Sequence, residues 1–217
     1  MEQVQMIDEL NNLAPYDNKI SDIDKWFDEF YEVMPISDER KEKRKSIAKQ
    51  LREAMLFLFA LMYTMAENNS WNYEIALSAF RMEFRNVIVN YAKIDLFMDN
   101  YIQEFTKSYL DVTIEHLSKE DASFFVSDDR ATIGSANESN TIIGYSELEE
   151  ASENGFTMKR WRTQRDNRVR RTHREMEGKT IPIDDYFIVG GSPLLYPCDP
   201  EGDEKEIAGC RCALDYI

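Results

Sequence analysis

Features that would decide the class of this chain at once are missing from its 217 residues. The strongest apolar run, Ala54 to Ala66, falls short of the roughly 20 residues that a membrane span needs, and it reads instead as a buried core helix. The first residues, Met1-Glu-Gln-Val-Gln, are acidic and polar and carry no secretory signal. Cysteine is scarce: three in all, confined to Cys198–Cys212. Without a secretory signal, so few argue against a disulfide framework and leave any thiol or metal chemistry to the tail. There is no internal repeat and no low-complexity tract. Positive charge is in deficit, with a net charge of −15. That favours solubility and disfavours non-specific contact of the whole surface with nucleic acid, although a local basic site is still open.

What is present fits a soluble globular protein, 43% apolar and 31% charged, of one or two domains. Helical spacing dominates the first 120 residues. Ser21-Asp-Ile-Asp24 opens a helix whose stripe is Ile23, Trp26, Phe27, Phe30 and Tyr31, and Pro35 ends it. Ser37-Asp-Glu-Arg opens a second, to about Glu67, with a charged first half expected to project into solvent or onto a partner and an enclosed second half. A third follows Asn68-Asn-Ser70 and carries Ile75, Phe80, Phe84, Val87, Ile88 and Tyr91. A fourth runs from about Asp95 to Leu117, with Leu96 at the head of its stripe. Long helices with short breaks predict an antiparallel bundle. Residues 121–131 read as a joint, and 132–154 as one more helix stopped by Asn154-Gly155. Beyond Gly155, Phe156 to Thr163 alternates as a strand does, and a Gly- and Pro-punctuated segment follows. The expected fold class is mainly α: a helical bundle over 1–120, a connecting segment and helix over 121–154, and a small α+β, loop-rich domain over 155–217.

The chemistry concentrates in that tail. Lys159 to Arg174 holds eight Lys or Arg and one acid. Trp161, Asp166, Arg168, Arg170, His173, Gly178, Phe187, Pro197, Asp199, Cys210, Arg211 and Cys212 follow in a fixed order, with Asn137-Glu138 and Asn140 upstream. In that order and spacing the chain resembles the phage Mu F-like family of head-morphogenesis proteins, also called minor head or minor capsid proteins, from about residue 133 to 217. Gly209 stands where Asn is usual before the closing Cys-Arg-Cys, and the Cys-x-x-Cys that many relatives carry near the His is absent. The resemblance implies a tailed-phage minor head protein, structural rather than enzymatic, with portal and head proteins as partners. It implies residence in the virion head and, during assembly, in the host cytoplasm.

The residues themselves admit further readings. Asp166, Arg170 and His173 are the candidates for an acid–base centre, which would make the chain a phage-delivered hydrolase or nuclease. The competing reading is a buried polar network that fixes a small domain, favoured because neither a Ser or Cys nucleophile nor a second His stands near in sequence. His173, Cys198, Cys210 and Cys212 would supply four zinc ligands; otherwise the thiols pack the C-terminal strand and no cofactor is needed. Lys159, Arg160, Arg162, Arg165, Arg171 and Arg174 are the candidates to touch packaged DNA or the portal. Arg168 and Arg170 are expected to pair internally. A regulator of host DNA lacks its recognition-helix signature.

Overall fold

The computed structural model describes residues 3–217; Met1 and Glu2, the first residues of the acidic and polar start, lie outside the described residues. In chain order it forms α1 (Gln3–Asn11), α2 (Ile23–Glu32), α3 (Asp38–Glu67), α4 (Tyr73–Ile88), α5 (Leu96–His116), α6 (Ala122–Phe125) and α7 (Asp128–Glu153). There follow β1 (Met158–Arg162), α8 (Arg171–Arg174), β2 (Thr180–Pro182), β3 (Phe187–Val189), β4 (Ser192–Leu194), α9 (Glu204–Ile207) and β5 (Ala213–Tyr216). The fold is mainly α with a small β part after Gly155, as the periodicities predict.

Local chemistry explains the boundaries. Asn72 accepts from Ile75 N at 3.1 Å and Asp95 from Met98 N at 2.9 Å, so each caps the helix it precedes. α7 starts at Asp128, earlier than the expected 132, because Ser127 Oγ accepts from Arg130 N and two acids fill the first turn. Ile75 and Leu96, expected on apolar faces, are exposed in the first turns of their helices.

The chain divides into two compact units. The first takes the segment up to Ile23 and Lys49–Ser135. Its core is Leu51, Met55, Leu58 and Met62 of α3 with Phe80, Phe84 and Ile88 of α4 and Met98, Ile102 and Leu110 of α5. Burying each such side chain contributes about 1.5–3 kcal/mol. Arg130 is buried in this unit, its guanidinium 4.0 Å from the Tyr109 ring centroid and donating to Thr113 Oγ1 at 2.6 Å.

The second unit takes Asp24–Ala48 and Ala136–Ile217. Here the charged start of α3 departs from expectation: it is tied down rather than projecting. Arg40 and Arg44 both fork onto Glu147 of α7, each with an N···O distance of 2.7 Å. Arg44 is 3% exposed, so this charge is buried by pairing rather than solvated, while Asp38, Glu39 and Glu42 beside it stay exposed. Tyr31 of α2 packs into the same unit, its hydroxyl 2.5 Å from Ser139 Oγ. β1 is the centre of an antiparallel sheet in the order β2-β1-β5, with Trp161 opposite Leu214. β3 and β4 form a hairpin turned by Gly190-Gly191, both at positive φ.

Candidate functional site

One face of α7 holds the two loops that carry the cysteines. Asn137 Oδ1 accepts from Gly209 N at 2.9 Å, Asn140 Nδ2 donates to Cys210 O at 3.2 Å, and Thr141 Oγ1 donates to Cys198 O at 2.9 Å. Positions three and four apart share a helix face, which is why this helix can grip both loops. Gly209 sits at φ +64, a left-handed conformation open to Gly and tolerated by Asn. A turn further along, Gly144 leaves room for the Tyr196 ring.

Against these loops stands β1 with the turn after it. Trp161 is fully buried, its ring edge-on to His173 at 5.8 Å and to Phe187 at 5.1 Å. Asp166 Oδ1 accepts from the backbone N of Arg168 and Val169 at 2.9 and 3.1 Å, fixing the turn that leads into α8. Its Oδ2 lies 2.8 Å from Gln164 Nε2 and 3.5 Å from Arg211 Nη2. Arg170 donates to the Ala208 carbonyl. His173, buried on α8, turns Nδ1 to Cys212 Sγ at 3.4 Å and Cys210 Sγ at 3.5 Å. Its Nε2 is 3.2 Å from Glu206 Oε2, though not aligned for a hydrogen bond. Glu206 in turn accepts from Thr172 Oγ1 at 2.8 Å.

Three of the four expected metal ligands are therefore brought together: the ligand atoms of His173, Cys210 and Cys212 all lie within 4.8 Å of one another. Cys198 is beside this group but outside it, its Sγ 3.4 Å from the Cys210 carbonyl and 3.7 Å from that of Ile207. Asp166, Arg170 and His173, the acid–base candidates, each engage different partners. The charges in the cluster are strongly biased. Hydrogen bonds from Cys198 and Cys212 hold the Cys210 thiol well below its ordinary pKa, with the imidazole of His173 adding to the effect. Cys198 and Cys212 are pushed up, first by their contact with Cys210 and then by burial. Burial alone would lower His173, but its contact with Cys210 outweighs it and the imidazole is raised.

The basic run divides into two classes. Lys159 is fully buried, with Nζ donating to the Leu195 carbonyl at 2.8 Å, so it cannot reach DNA or the portal as expected; burial lowers it to about 8. Arg160 donates to Thr180 Oγ1, and Arg162 pairs with Asp215 at 2.7 Å. Arg165, Arg168, Arg171 and Arg174 are exposed. Arg165 pairs with Glu177 at 2.8 Å, Arg171 with Glu175 at 3.2 Å, and Arg174 Nε donates to Val169 O. Arg170 is internally engaged as expected, whereas Arg168, expected to be so too, has an exposed side chain.

The residues missed in the sequence are acids and small polar groups on distant segments: Glu206, Thr141, Glu147, and Glu177, which accepts from Thr163 N at 2.5 Å. A family model described as phage Mu protein F like protein matches residues 99–215, beginning inside α5, upstream of where the motif resemblance starts. No curated protein and no solved structure matches the chain.

Proposed function

Because the chain belongs to the phage Mu protein F-like family, we propose that it is a minor head protein of a tailed bacteriophage, acting in structure and assembly at the portal or inside the head. The observation that carries this reading is the family match over α5 to β5. The motif side chains agree with a structural role. Trp161 packs on His173 and Phe187, Asp166 fixes the turn before α8, Arg170 holds the Ala208 carbonyl and α7 holds that of Cys210, so no catalysis is required of them. The helical part up to about residue 120 then anchors the chain or binds a partner. Among the described residues no helix is long and apolar enough to cross a membrane. Any contact with packaged DNA would fall to the exposed residues of the basic run, Arg165, Arg168, Arg171 and Arg174.

The test is genetic and compositional. Purified particles are expected to contain a few copies of the chain by mass spectrometry, and loss of its gene to give defective heads. Normal heads without it overturn the reading. A His173→Ala phage that assembles normally and loses a hydrolytic activity would favour the enzyme instead.

A further inference from the structure

We propose that His173 Nδ1, Cys210 Sγ and Cys212 Sγ hold a zinc ion, with Glu206 steadying the imidazole from its far side. Imidazole with thiolates is a donor set that suits zinc. The two sulfurs stand at 3.4 and 3.5 Å from a single ring nitrogen. That nitrogen offers either one N–H or one lone pair, so it satisfies only one of them by hydrogen bonding. A metal at the centre satisfies both. Around a tetrahedral zinc with Zn–N and Zn–S bonds of about 2.0 and 2.3 Å, ligand nitrogen and sulfur are themselves about 3.5 Å apart. The observed separations are therefore already those of a ligand edge.

Two further observations converge on the same point. A cavity of about 20 Å³ is lined by His173, Cys210 and Cys212 together with Gln164, Arg170 and Gly209. It has room for about one water, which needs roughly 10–15 Å³, and the buried Gln164 Oε1 has no hydrogen-bond partner. A water in the fourth coordination position would satisfy it. Second, Glu206 is a buried carboxylate 3.2 Å from Nε2, close enough that a small turn of the ring on metal binding would align the hydrogen bond by which a carboxylate fixes the tautomer of a ligating histidine. Room for it depends on Gly190, where a Cβ would stand 2.2 Å from Glu206 Oε1. Cys198 is left outside the ligand set because, although its thiol also meets that of Cys210, its sulfur falls outside the 4.8 Å group and lies against the Cys210 and Ile207 carbonyls.

The experiment is metal analysis of the full chain purified under reducing conditions, followed by titration of the chelator-treated protein with Co²⁺. One equivalent of zinc is expected, and tetrahedral cobalt bands with a thiolate-to-cobalt charge-transfer band. Cys210→Ser and Cys212→Ser should each remove about half of that band, one of two thiolates, while Cys198→Ser keeps it whole. Glu206→Gln should keep the stoichiometry and weaken affinity about 10- to 100-fold. A metal-free chain with no cobalt band, and a melting temperature that chelator leaves unmoved, overturns the site. A Cys198→Ser loss as large as that of Cys210→Ser overturns the ligand assignment. If the ligand variants do not fold, the unmutated chain and Glu206→Gln decide. None of these readouts depends on the role in the phage head.

Discussion

Asn140 of α7 donates from Nδ2 to the carbonyl oxygen of Cys210, 3.2 Å away, and so fixes the backbone between the two closing cysteines. Replacing that donor by an acceptor of the same shape sets a carboxyl oxygen against a carbonyl in a buried place. Asn140→Asp is therefore expected to destabilise the fold by about 1–3 kcal/mol, read as a lower urea midpoint at unchanged slope. A midpoint equal to that of the unmutated chain would show that the helix does not hold the loop.

Glu147 should give stability a marked acid limb. Burial alone would raise its pKa, but the charges and hydrogen bonds of Arg44 and Arg40 outweigh it and hold the carboxyl down to about 2. A depressed carboxylate contributes stability that is present above its unfolded value, near 4.5, and is lost as pH falls from there toward 2. Glu147→Gln is expected to cost about 3 kcal/mol at neutral pH, since it leaves Arg44 buried without its counter-charge. It should also flatten the loss of stability between those two pH values. Parallel pH profiles for the two proteins would refute the assignment.

A methyl group at Gly144 would stand 2.9 Å from Tyr196 Cδ2, and that ring is buried. Gly144→Ala is thus expected to cost about 1–3 kcal/mol by overpacking, despite alanine's better helix propensity. Tyr196→Leu in the same chain should recover part of it, so that the double variant is more stable than the sum of the two losses predicts. Additive losses would place the strain elsewhere.

DNA contact has its own measurable sign. Each arginine that neutralises a phosphate adds about 0.9 to the slope of log affinity against log salt. Changing Arg165, Arg168, Arg171 and Arg174 to Gln should therefore flatten that slope and leave melting nearly unmoved, because exposed pairs such as Arg171 with Glu175 contribute under about 1 kcal/mol. No retention of DNA by the unmutated chain at low salt would refute the contact.

The helices were legible because a bundle core imposes its own period on the sequence, as Phe80, Phe84 and Ile88 show. Ile75 and Leu96 have the right spacing but lie in first turns, where the helix face is not yet covered. The site was legible only in part. The alternation that marks 156–163 as a strand already sets Lys159 on the same side as Trp161, so its burial followed from the pattern and was overridden by its charge. Gly190-Gly191 between Val189 and Ser192 was a readable hairpin signal. Glu206 and Thr141 carried none, because what pairs them with His173 and Cys198 is the tertiary path of the chain. The exposure of Arg168, where Arg170 is engaged, has the same origin: the turn built on Asp166 decides which of the two faces inward.

The second unit is assembled from segments that are far apart in the sequence. Tyr31, Arg40 and Arg44 leave the ribosome long before Ser139 and Glu147, the groups they bind. Until then these arginines carry charge with no acid of α7 to receive it, and the long intervening loop must be closed before the pairing is rewarded. Folding of this unit therefore waits for its last-made part. A fragment starting at Ala136 would hold Glu147 without either arginine and Ser139 without its tyrosine.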